Sequence, residues 1–362
     1  MSATAPAPMA FPVPLSSRRA FLNPKTFKDA WPRPIHLLAS ASSEGTRKQL
    51  SVSRRAMACD FSLIFPAECR CAIDAACAAL DEVERLESRL SAYQTGSDIS
   101  YVNRTAFESP VPLDSELFAL LQTAARLTEA THGAFDAATG ALIRTWGFFR
   151  GPKRVPTEAE RQQALASSGM AQVDLDPVSR TVRFRRLGLE LNLGSLGKGY
   201  AIDRALEGIR RQFGANCLLM QGGQSSLRAL GAPPHEPRGW KIAVGHPWRP
   251  DQAVATVRLR NRALGTSGAA HQYFIHNGRR YGHVLDPRTG WPADQLASAS
   301  ALAPSAAEAD ALSTAFFVMG VEPTRQYCRN HPEVGAVLVT KPQPSRPPQV
   351  ILAGVDNSEI QL

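Results

Sequence analysis

The sequence predicts an α+β fold, built as one large domain or as two lobes. Helical and strand patterns are interspersed along the chain, without a regular βαβ period and without an internal repeat. The chain has 362 residues, of which 44% are hydrophobic and 20% are charged. A chain of this length and composition can bury a substantial core. A β-rich segment followed by a long amphipathic helix opens the folded part.

The first 50 residues are rich in proline, alanine and serine, and they contain no apolar run long enough to span a membrane or to form the core of a signal peptide. We therefore predict a disordered tail over residues 1–50 and a folded domain over residues 51–362. Within the tail, Ser17–Leu22 resembles a twin-arginine export signal, but the polar segment 23–29 follows where an apolar run belongs. We predict a cytoplasmic protein without a transmembrane segment, and export is the alternative.

The segment Arg55–Phe65 is apolar and rich in β-formers, which predicts the opening strand. From Cys71 to Leu90, apolar residues recur every three or four positions, which predicts an amphipathic helix. By the same patterns, further helices are predicted at Ser115–Thr131, Glu158–Gly169, Gly199–Phe213 and Ala306–Gly320. Further strands are predicted at Val182–Phe184, Leu189–Leu193, Cys217–Gln221, Trp240–Val244, Ala255–Leu259, Ala299–Leu302 and Val334–Thr340.

The net charge of +9 and the pI near 9.5 favour anionic ligands. The lysines and arginines are scattered among acids, and they form neither a basic helix nor an alternation with aromatic residues, so we predict no nucleic-acid partner. The six cysteines form no Cys-x-x-Cys pair and have no histidine at a zinc-ligand spacing. We interpret them as reduced, unpaired thiols, which favours a reducing compartment.

Glycines surround Lys198 in the segment Gly194–Gly199, between a predicted strand and a predicted helix. Such a turn lets the backbone approach a phosphate while the lysine supplies the counter-charge. The run matches neither the dinucleotide-binding glycine pattern nor the P-loop, and a helix N-terminus with a solvated lysine is the alternative. Thr266, Ser267 and Gly268 offer hydroxyls and bare backbone to a phosphate, or they form a plain turn.

Two late segments indicate an anion and a metal. In His283–Pro292, a proline and a glycine favour a tight turn that would hold His283 and Asp286 at a bend, and a plain turn is the alternative. Asp310 and Thr314 are four residues apart in the predicted last long helix, so a carboxylate and a hydroxyl lie on one helix face. These are hard oxygen ligands of the kind that suits Mg2+.

Two more segments complete a pattern, Thr131–Asp136 (Thr-His-Gly-Ala-Phe-Asp) and Leu191–Asp203 (Leu-Asn-Leu-Gly-Ser-Leu-Gly-Lys-Gly-Tyr-Ala-Ile-Asp). Together with Gly265–Gly268 and the two late segments, in this order and spacing, they resemble the ApbE family of flavin transferases. The resemblance runs from about Ser53 to Gly354. It implies an ApbE-like fold of two lobes with a flavin cleft between them.

The resemblance also implies a Mg2+-dependent activity. ApbE proteins hold FAD with Mg2+ at its pyrophosphate and move the FMN half to a threonine or serine hydroxyl of an acceptor protein, releasing AMP. His283 and Asp286 are then the candidates for proton transfer and for positioning. The residues expected to contact FAD by matching position are Met57, Tyr93, Ala134, Phe135, Asp136, Asn192, Lys198 and Leu285. The expected metal ligands are the backbone carbonyl of Ser195 and the side chains of Asp310, Ser313 and Thr314.

The chain departs from the family pattern at several positions. Met57 is followed by Ala-Cys where Gly-Thr is usual, and Asn192, Gln224 and Ala269 stand where acids are common. Two alternatives to a transferase therefore stay open. One is an FAD pyrophosphatase, in which water replaces the protein hydroxyl and FMN and AMP are released. The other is an FAD-binding protein without turnover, which the absence of acids at positions 192, 224 and 269 favours.

Overall fold

The structure is a computed structural model. It describes residues 36–41, 48–269, 272–342, 347–356 and 358–362. The described residues form one compact unit. Helices and strands are mixed along it, which confirms the predicted α+β class.

The helices and strands of the described residues are numbered in chain order. The helices are α1 (Ala72–Leu90), α2 (Asp98–Thr105), α3 (Ser115–Ala130), α4 (Gly140–Thr145), α5 (Glu158–Ala166), α6 (Gly197–Phe213), α7 (Ala306–Met319) and α8 (Val321–Asn330). The strands are β1 (His36–Ala41), β2 (Lys48–Ala56), β3 (Cys59–Pro66), β4 (Val111–Pro112), β5 (Val173–Asp176), β6 (Thr181–Phe184), β7 (Leu218–Gly222), β8 (Ser226–Leu230), β9 (Trp240–His246), β10 (Arg249–Leu259), β11 (Ala263–Gly268), β12 (Tyr273–His276), β13 (Arg279–Gly282), β14 (Leu296–Ala303), β15 (Gly335–Thr340), β16 (Val350–Ala353) and β17 (Ile360–Gln361).

A nine-stranded sheet in the order β1-β2-β3-β7-β8-β11-β14-β15-β16 organises the described residues. Every neighbouring pair in it is antiparallel. Smaller sheets are formed by β17-β10-β9, by β4-β6-β5 and by the hairpin β12-β13. Strand β11 is therefore central, between β8 and β14.

Both faces of the large sheet are covered. Along β7, Leu218 and Met220 belong to the main core, whereas Leu219 packs on the opposite side in a second cluster. Strand β15 alternates in the same way, with Leu338 in the main core and Val337 in the second cluster, as the two-residue period of a strand requires. The main core packs the sheet against α1, α6 and α7, and the second cluster packs it against β9 and β10.

Helix α7 lies within the main core and is apolar on almost every side, which is the pattern of a fully buried helix. Ser305 caps its start by accepting a hydrogen bond at Oγ from Glu308 N at 3.2 Å. Gly320, with φ of 78°, ends it. Asp310 is one of its few polar side chains and is only 4% exposed. A carboxylate in this position requires partners.

The predicted single strand Arg55–Phe65 is wrong, because a two-residue turn divides it into β2 and β3. Met57 and Ala58 have φ of 46° and 61°, and Ala56 pairs with Cys59 across the turn. Two consecutive residues with positive φ are the signature of a type I′ hairpin. The apolar pattern did not reveal the turn because neither residue is glycine.

Two further expectations were wrong in detail. Leu189–Leu193 is not a strand, because its backbone bonds to other partners: Leu191 N donates to Asn103 Oδ1 and Asn192 N donates to Ala137 O. The segment 266–268, read as a possible turn, belongs to β11. The other predicted helices and strands are present, with ends shifted by up to six residues.

The predicted tail over residues 1–50 lies mostly outside the described residues, and so does the twin-arginine-like segment. Strand is nevertheless present at 36–41 and from residue 48 onward, with His36 paired to Ser53. The boundary at residue 50 was therefore placed too late. Among the described residues, no helix is long and apolar enough to cross a membrane.

Candidate active site

Helix α7 and strand β11 bring a cluster of oxygen atoms together. Asp310, Ser313 and Thr314 lie on one face of α7 because they are three and four residues apart. Ser267 of β11 faces them, with its Oγ 2.9 Å from Ser313 Oγ and 3.0 Å from Thr314 Oγ1. Ser313 Oγ also donates to the Asp310 carbonyl oxygen at 2.8 Å. The predicted metal-binding side chains therefore meet, and β11 adds a hydroxyl to them.

Two glycines let the surrounding backbones come close enough to form this cluster. A Cβ on Gly265 of β11 would lie 2.2 Å from Ala309 O, and a Cβ on Gly199 of α6 would lie 2.0 Å from Ala306 O. Both obstacles are backbone atoms, so no side-chain rotation could relieve the clash. Strand β11 and helix α6 can therefore contact α7 in this way only with glycine at the two positions.

The Asp310 carboxylate is held by groups from two elements, α6 and β8. Its Oδ2 accepts from Gly199 N at 2.9 Å, and its Oδ1 accepts from Ser226 Oγ. Lys198 Nζ lies 3.7 Å from Oδ2. The carboxylate thus lies at the N-terminus of α6, where a helix favours negative charge, and beside a cation. This buried charge is well compensated.

The donor set of the cluster fits Mg2+. It offers one carboxylate and several hydroxyl oxygens, and Ser195 lies in the turn that enters α6, where its carbonyl is a further oxygen donor. Mg2+ prefers such oxygen ligands and usually binds through one or two carboxylates together with waters and substrate phosphates. In the described part of the chain, no three His, Cys, Asp or Glu side chains form a metal-binding group, so a nitrogen and sulfur site of the zinc type does not fit there.

A thiol lies beside the cluster. Cys59 opens β3, and its Sγ would be 3.5 Å from a Cβ on Gly223. Burial raises the pKa of this thiol to about 11, an effect that the charge of Lys198 opposes and that Asp60 and Asp310 reinforce. The thiol is therefore neutral near pH 7. Sequence analysis noted this position only as a departure from the family pattern.

His283 follows β13, and its ring lies edge-on to Phe148. Its Nδ1 is 3.1 Å from the Gln272 carbonyl oxygen. Since a carbonyl can only accept, Nδ1 carries the proton and Nε2 is left as an acceptor. Burial lowers the pKa of the imidazole, and the charges of Lys198 and Lys153 lower it further, against the effect of the Gln272 carbonyl. The ring is therefore neutral near pH 7 and able to take a proton.

Asp286 is engaged within its own bend. Its Oδ1 accepts from Arg288 N and from Arg288 Nε, and its Oδ2 accepts from Arg288 Nη2, each at 2.9 Å. Its backbone carbonyl accepts from Gly290 N, and its backbone N donates to Trp291 O, both at 2.8 Å. Both carboxylate oxygens of Asp286 are therefore engaged by Arg288. The neighbouring Leu285 packs in a small cluster with Trp146.

The residues expected at the flavin ring include a stacked tyrosine and a buried amide. Tyr93 is 44% exposed and stacks on Phe149 with ring centroids 4.4 Å apart. Asn192 is 8% exposed, and its Oδ1 accepts from Gly194 N at 2.9 Å, which fixes the orientation of the amide. Its Nδ2 is buried and has no partner of regular hydrogen-bond geometry among the described residues. Burial raises the pKa of the Tyr93 hydroxyl, and the neighbouring Asn192 amide opposes that rise. An unpaired donor such as the Asn192 Nδ2 costs about 1–3 kcal/mol, so the site is prepared for an acceptor atom of a ligand.

The side chains of the Gly-Ala-Phe-Asp turn pack inside the protein. Phe135 is 1% exposed and Ala134 is fully buried, both in the main core. The Phe135 side chain therefore packs in the core, and contact of this residue with FAD stays a prediction. Asp136 accepts from Ala138 N at 2.7 Å and from Met170 N at 2.9 Å, and burial raises its pKa. It holds two loops together, and only the backbone of this turn is left to contact a ligand.

Comparison with known proteins assigns the chain to a family, since the profile of the ApbE family matches residues 45–338. The chain belongs to the ApbE family. It is 32% identical over 281 residues to an FAD:protein FMN transferase of Treponema pallidum (strain Nichols), covering 72% of this chain and 77% of the relative. It is 30% identical over 261 residues to an FAD:protein FMN transferase of Klebsiella pneumoniae (strain 342), covering 72% and 80%. The crystal structure of the ApbE protein of Thermotoga maritima matches with a TM-score of 0.73 at 28% identity, covering 85% of this chain and 94% of that one.

The ApbE pattern includes α7, Lys198 and His283; in the structure Lys198 lies 3.7 Å from Asp310 of α7, and its charge acts on His283. The pattern gave no role to Ser226, which is 84 positions from Asp310 in the sequence yet bonds to its carboxylate. No signal in one sequence could reveal that contact, because it depends on the pairing of β8 with β11. For Cys59, the departure from the ApbE motif was the available signal.

Proposed function

We propose that this ApbE-family protein transfers the FMN half of FAD to a threonine or serine hydroxyl of an acceptor protein, with Mg2+ bound at α7 and AMP released. One observation carries the proposal: the Asp310 carboxylate and the Lys198 ammonium meet beside the N-terminus of α6, next to the hydroxyls of Ser267, Ser313 and Thr314. This is the chemistry needed around a pyrophosphate. The names of the relatives from Treponema pallidum and Klebsiella pneumoniae support it.

In the proposed reaction, the acceptor hydroxyl oxygen attacks the phosphorus atom of the FMN phosphate. The bond from that phosphorus to the bridging oxygen breaks, AMP leaves with the bonding electrons, and the hydroxyl proton passes to a base. Bound at Asp310 and Thr314, Mg2+ would neutralise charge on the phosphate oxygens. Lys198 adds a positive charge at the N-terminus of α6, where phosphate groups bind readily.

His283 is the proposed base. Its Nδ1 proton is committed to the Gln272 carbonyl, so Nε2 is the atom that would accept the hydroxyl proton. The lowered pKa keeps the ring in the neutral form that this role requires. The Asp286 and Arg288 pair holds the backbone bend that carries His283.

The flavin end of FAD is proposed to lie against Asn192 and Tyr93. The Asn192 Nδ2 lacks a partner and would donate to a carbonyl oxygen of the isoalloxazine ring. Tyr93 offers an exposed aromatic side chain, supported from behind by Phe149. An offset stack with an aromatic ring contributes about 0.5–1.5 kcal/mol beyond the area that it buries.

The test is incubation of the purified protein with FAD, Mg2+ and an acceptor protein that carries a threonine flavinylation site, followed by an AMP assay and in-gel flavin fluorescence. The wild type is expected to release AMP and to yield a fluorescent acceptor. Asp310→Asn is expected to lower both signals by about 10²-fold or more, because it removes a preorganised charge at the reacting phosphates. Lys198→Met is expected to weaken FAD binding about tenfold, or about 1.4 kcal/mol.

The matched control is Asp176→Asn, an exposed aspartate that caps the turn between β5 and β6. It is expected to keep wild-type activity, and thermal melting of each variant separates loss of chemistry from loss of folding. If the protein releases AMP and free FMN but the acceptor is not labelled, the activity is FAD hydrolysis and not FMN transfer. If the wild type retains intact FAD, the protein binds FAD and catalyses neither transfer nor hydrolysis.

A further inference from the structure

Three of the six cysteines lie at the end of β3 and β7 that is remote from the candidate active site. Strand β3 begins with Cys59 at the site and pairs antiparallel with β7, so the residues that follow β3 lie beside those that precede β7. Cys69 and Cys71 lie in the turn between β3 and α1, and Cys217 immediately precedes β7. Cys69 and Cys217 both line a surface cavity of about 440 Å³ at this end.

Cys69 and Cys71 have the arrangement of a dithiol. Their Sγ atoms are 3.6 Å apart, and both residues are partly exposed. The turn that carries them is fixed by its backbone, since Cys69 N donates to Pro66 O at 3.1 Å and Ala72 N donates to Cys69 O at 3.2 Å. A disulfide requires a sulfur separation of about 2.05 Å, so the two sulfurs have to approach by about 1.5 Å.

We propose that Cys69 and Cys71 form a redox pair that closes to a reversible intramolecular disulfide on reaction with a small dialkyl disulfide. Cys71 occupies the N-cap of α1, where its side chain makes no capping hydrogen bond, and the N-terminus of a helix favours negative charge. The Cys71 thiolate attacks one sulfur of the dialkyl disulfide and releases one alkyl thiolate. The Cys69 thiol then loses its proton and attacks Cys71 Sγ, which releases the second alkyl thiolate.

The reaction is balanced without any further reagent. Two protein thiols lose two electrons and two protons, and one dialkyl disulfide gains them and becomes two thiols. The order of attack follows from the surroundings of the two sulfurs. Burial and the adjacent Cys71 thiol raise the pKa of Cys69, which makes Cys69 the second thiol to react.

Cys217 is excluded from the pair by its own contacts. Its Sγ donates to Ala232 O at 3.1 Å, and burial, with the charge of Glu68, raises its pKa. The three thiols together do not form a metal-binding group within the described residues. Disulfide formation by the two closest sulfurs is thus the chemistry that the cluster supports.

The test uses Arg70, which lies between the two cysteines and is a trypsin site. The full-length protein is incubated with glutathione disulfide, its remaining thiols are blocked with N-ethylmaleimide under denaturing conditions, and the tryptic peptides are weighed by mass spectrometry. We expect the oxidised protein to lose two of its six thiols and the peptides on either side of Arg70 to stay joined until dithiothreitol separates them. The reduced protein is expected to give two separate blocked peptides.

Variants identify the roles of the two thiols. Cys71→Ser is expected to abolish closure, whereas Cys69→Ser is expected to stop at a glutathione adduct on Cys71. Cys77→Ser, a change on the same helix α1, is the matched control and is expected to close like the wild type. The proposal is overturned if Cys69 and Cys71 are both blocked after oxidation of the wild type and the control, or if the joined species contains Cys217.

Discussion

The two halves of the candidate site are built differently. In the phosphate half, every polar group has a partner: the Asp310 carboxylate is held by Gly199 N and Ser226 Oγ, and the three hydroxyls of β11 and α7 contact one another. In the ring half, the buried Nδ2 of Asn192 has no partner among the described residues, and nearly half of the Tyr93 surface is exposed. The polar groups of the first half are paired with one another, whereas the second half keeps an unpaired donor and an exposed aromatic ring.

This difference follows from the chemistry proposed for each half. Charge that develops on a phosphate is stabilised best by groups that need not reorganise, so a rigid cluster is an advantage there. A flavin ring has carbonyl groups and an aromatic surface. It can therefore supply the acceptor for the unpaired donor and the stacking partner for the partly exposed tyrosine. The two halves should therefore respond differently to substitution.

The largest effect is expected at His283, whose pKa is lowered by the charge of Lys198 in the phosphate half. His283→Ala should lower flavin transfer by about 10²–10⁴-fold, as removal of a general base usually does, while FAD binding is retained. The neutral ring is the active form, and its pKa lies below the ordinary histidine value of about 6.5. Initial rates should therefore stay constant from pH 8 down to about 6.5 and fall only at lower pH.

Lys153→Met sharpens this prediction, because it removes one of the charges that lower the His283 pKa. The acidic limb of the rate profile should move toward higher pH, with Asp310 and its neighbours untouched. A wild-type profile that already falls above pH 6.5, or a limb that does not move in the variant, would contradict the role of His283 as a base.

The rigidity of the phosphate half can be broken at Gly199. A Cβ there would lie 2.0 Å from Ala306 O, so Gly199→Ala should separate α6 from α7 and lower the free energy of unfolding by about 3 kcal/mol. Gly208→Ala on the same helix is the matched control, because its Cβ would meet nothing within 4 Å; it should stabilise the protein by about 0.5–1 kcal/mol. Urea denaturation measures both. Equal behaviour of the two variants would show that the close contact does not constrain the fold.

The ring half is tested by Asn192→Asp. This change keeps the oxygen that accepts from Gly194 N and removes the unpaired donor. FAD binding should weaken about tenfold, by about 1.4 kcal/mol, whereas binding of ADP, which has no flavin ring, should not change. Isothermal titration with the two ligands separates the halves. Equal or tighter FAD binding in the variant would rule out the donor role of Nδ2.

The two halves also differ in how far the sequence predicts them. The helix α7 and its Asp310 and Thr314 spacing follow from alanine content, apolar periodicity and flanking residues, all of which are local. The contact of Ser226 with Asp310 is not local, because it depends on strand order in a nine-stranded sheet. A motif also does not say where a side chain points: Phe135 is expected to contact FAD by matching position, and its side chain is buried in the core.

The smallest effect is expected at the β2–β3 turn beside Cys59, where Ala58 has φ of 61°. A left-handed conformation costs an L-residue roughly 1–2 kcal/mol, and glycine removes that cost while losing some entropy on folding. Ala58→Gly should therefore raise the free energy of unfolding by about 0.5–1 kcal/mol. Ala67→Gly, at an exposed turn residue without positive φ, should lower it by a similar amount. Denaturation curves that move in the same direction for both variants would show that the turn is not strained and that the alanine at position 58 carries no cost.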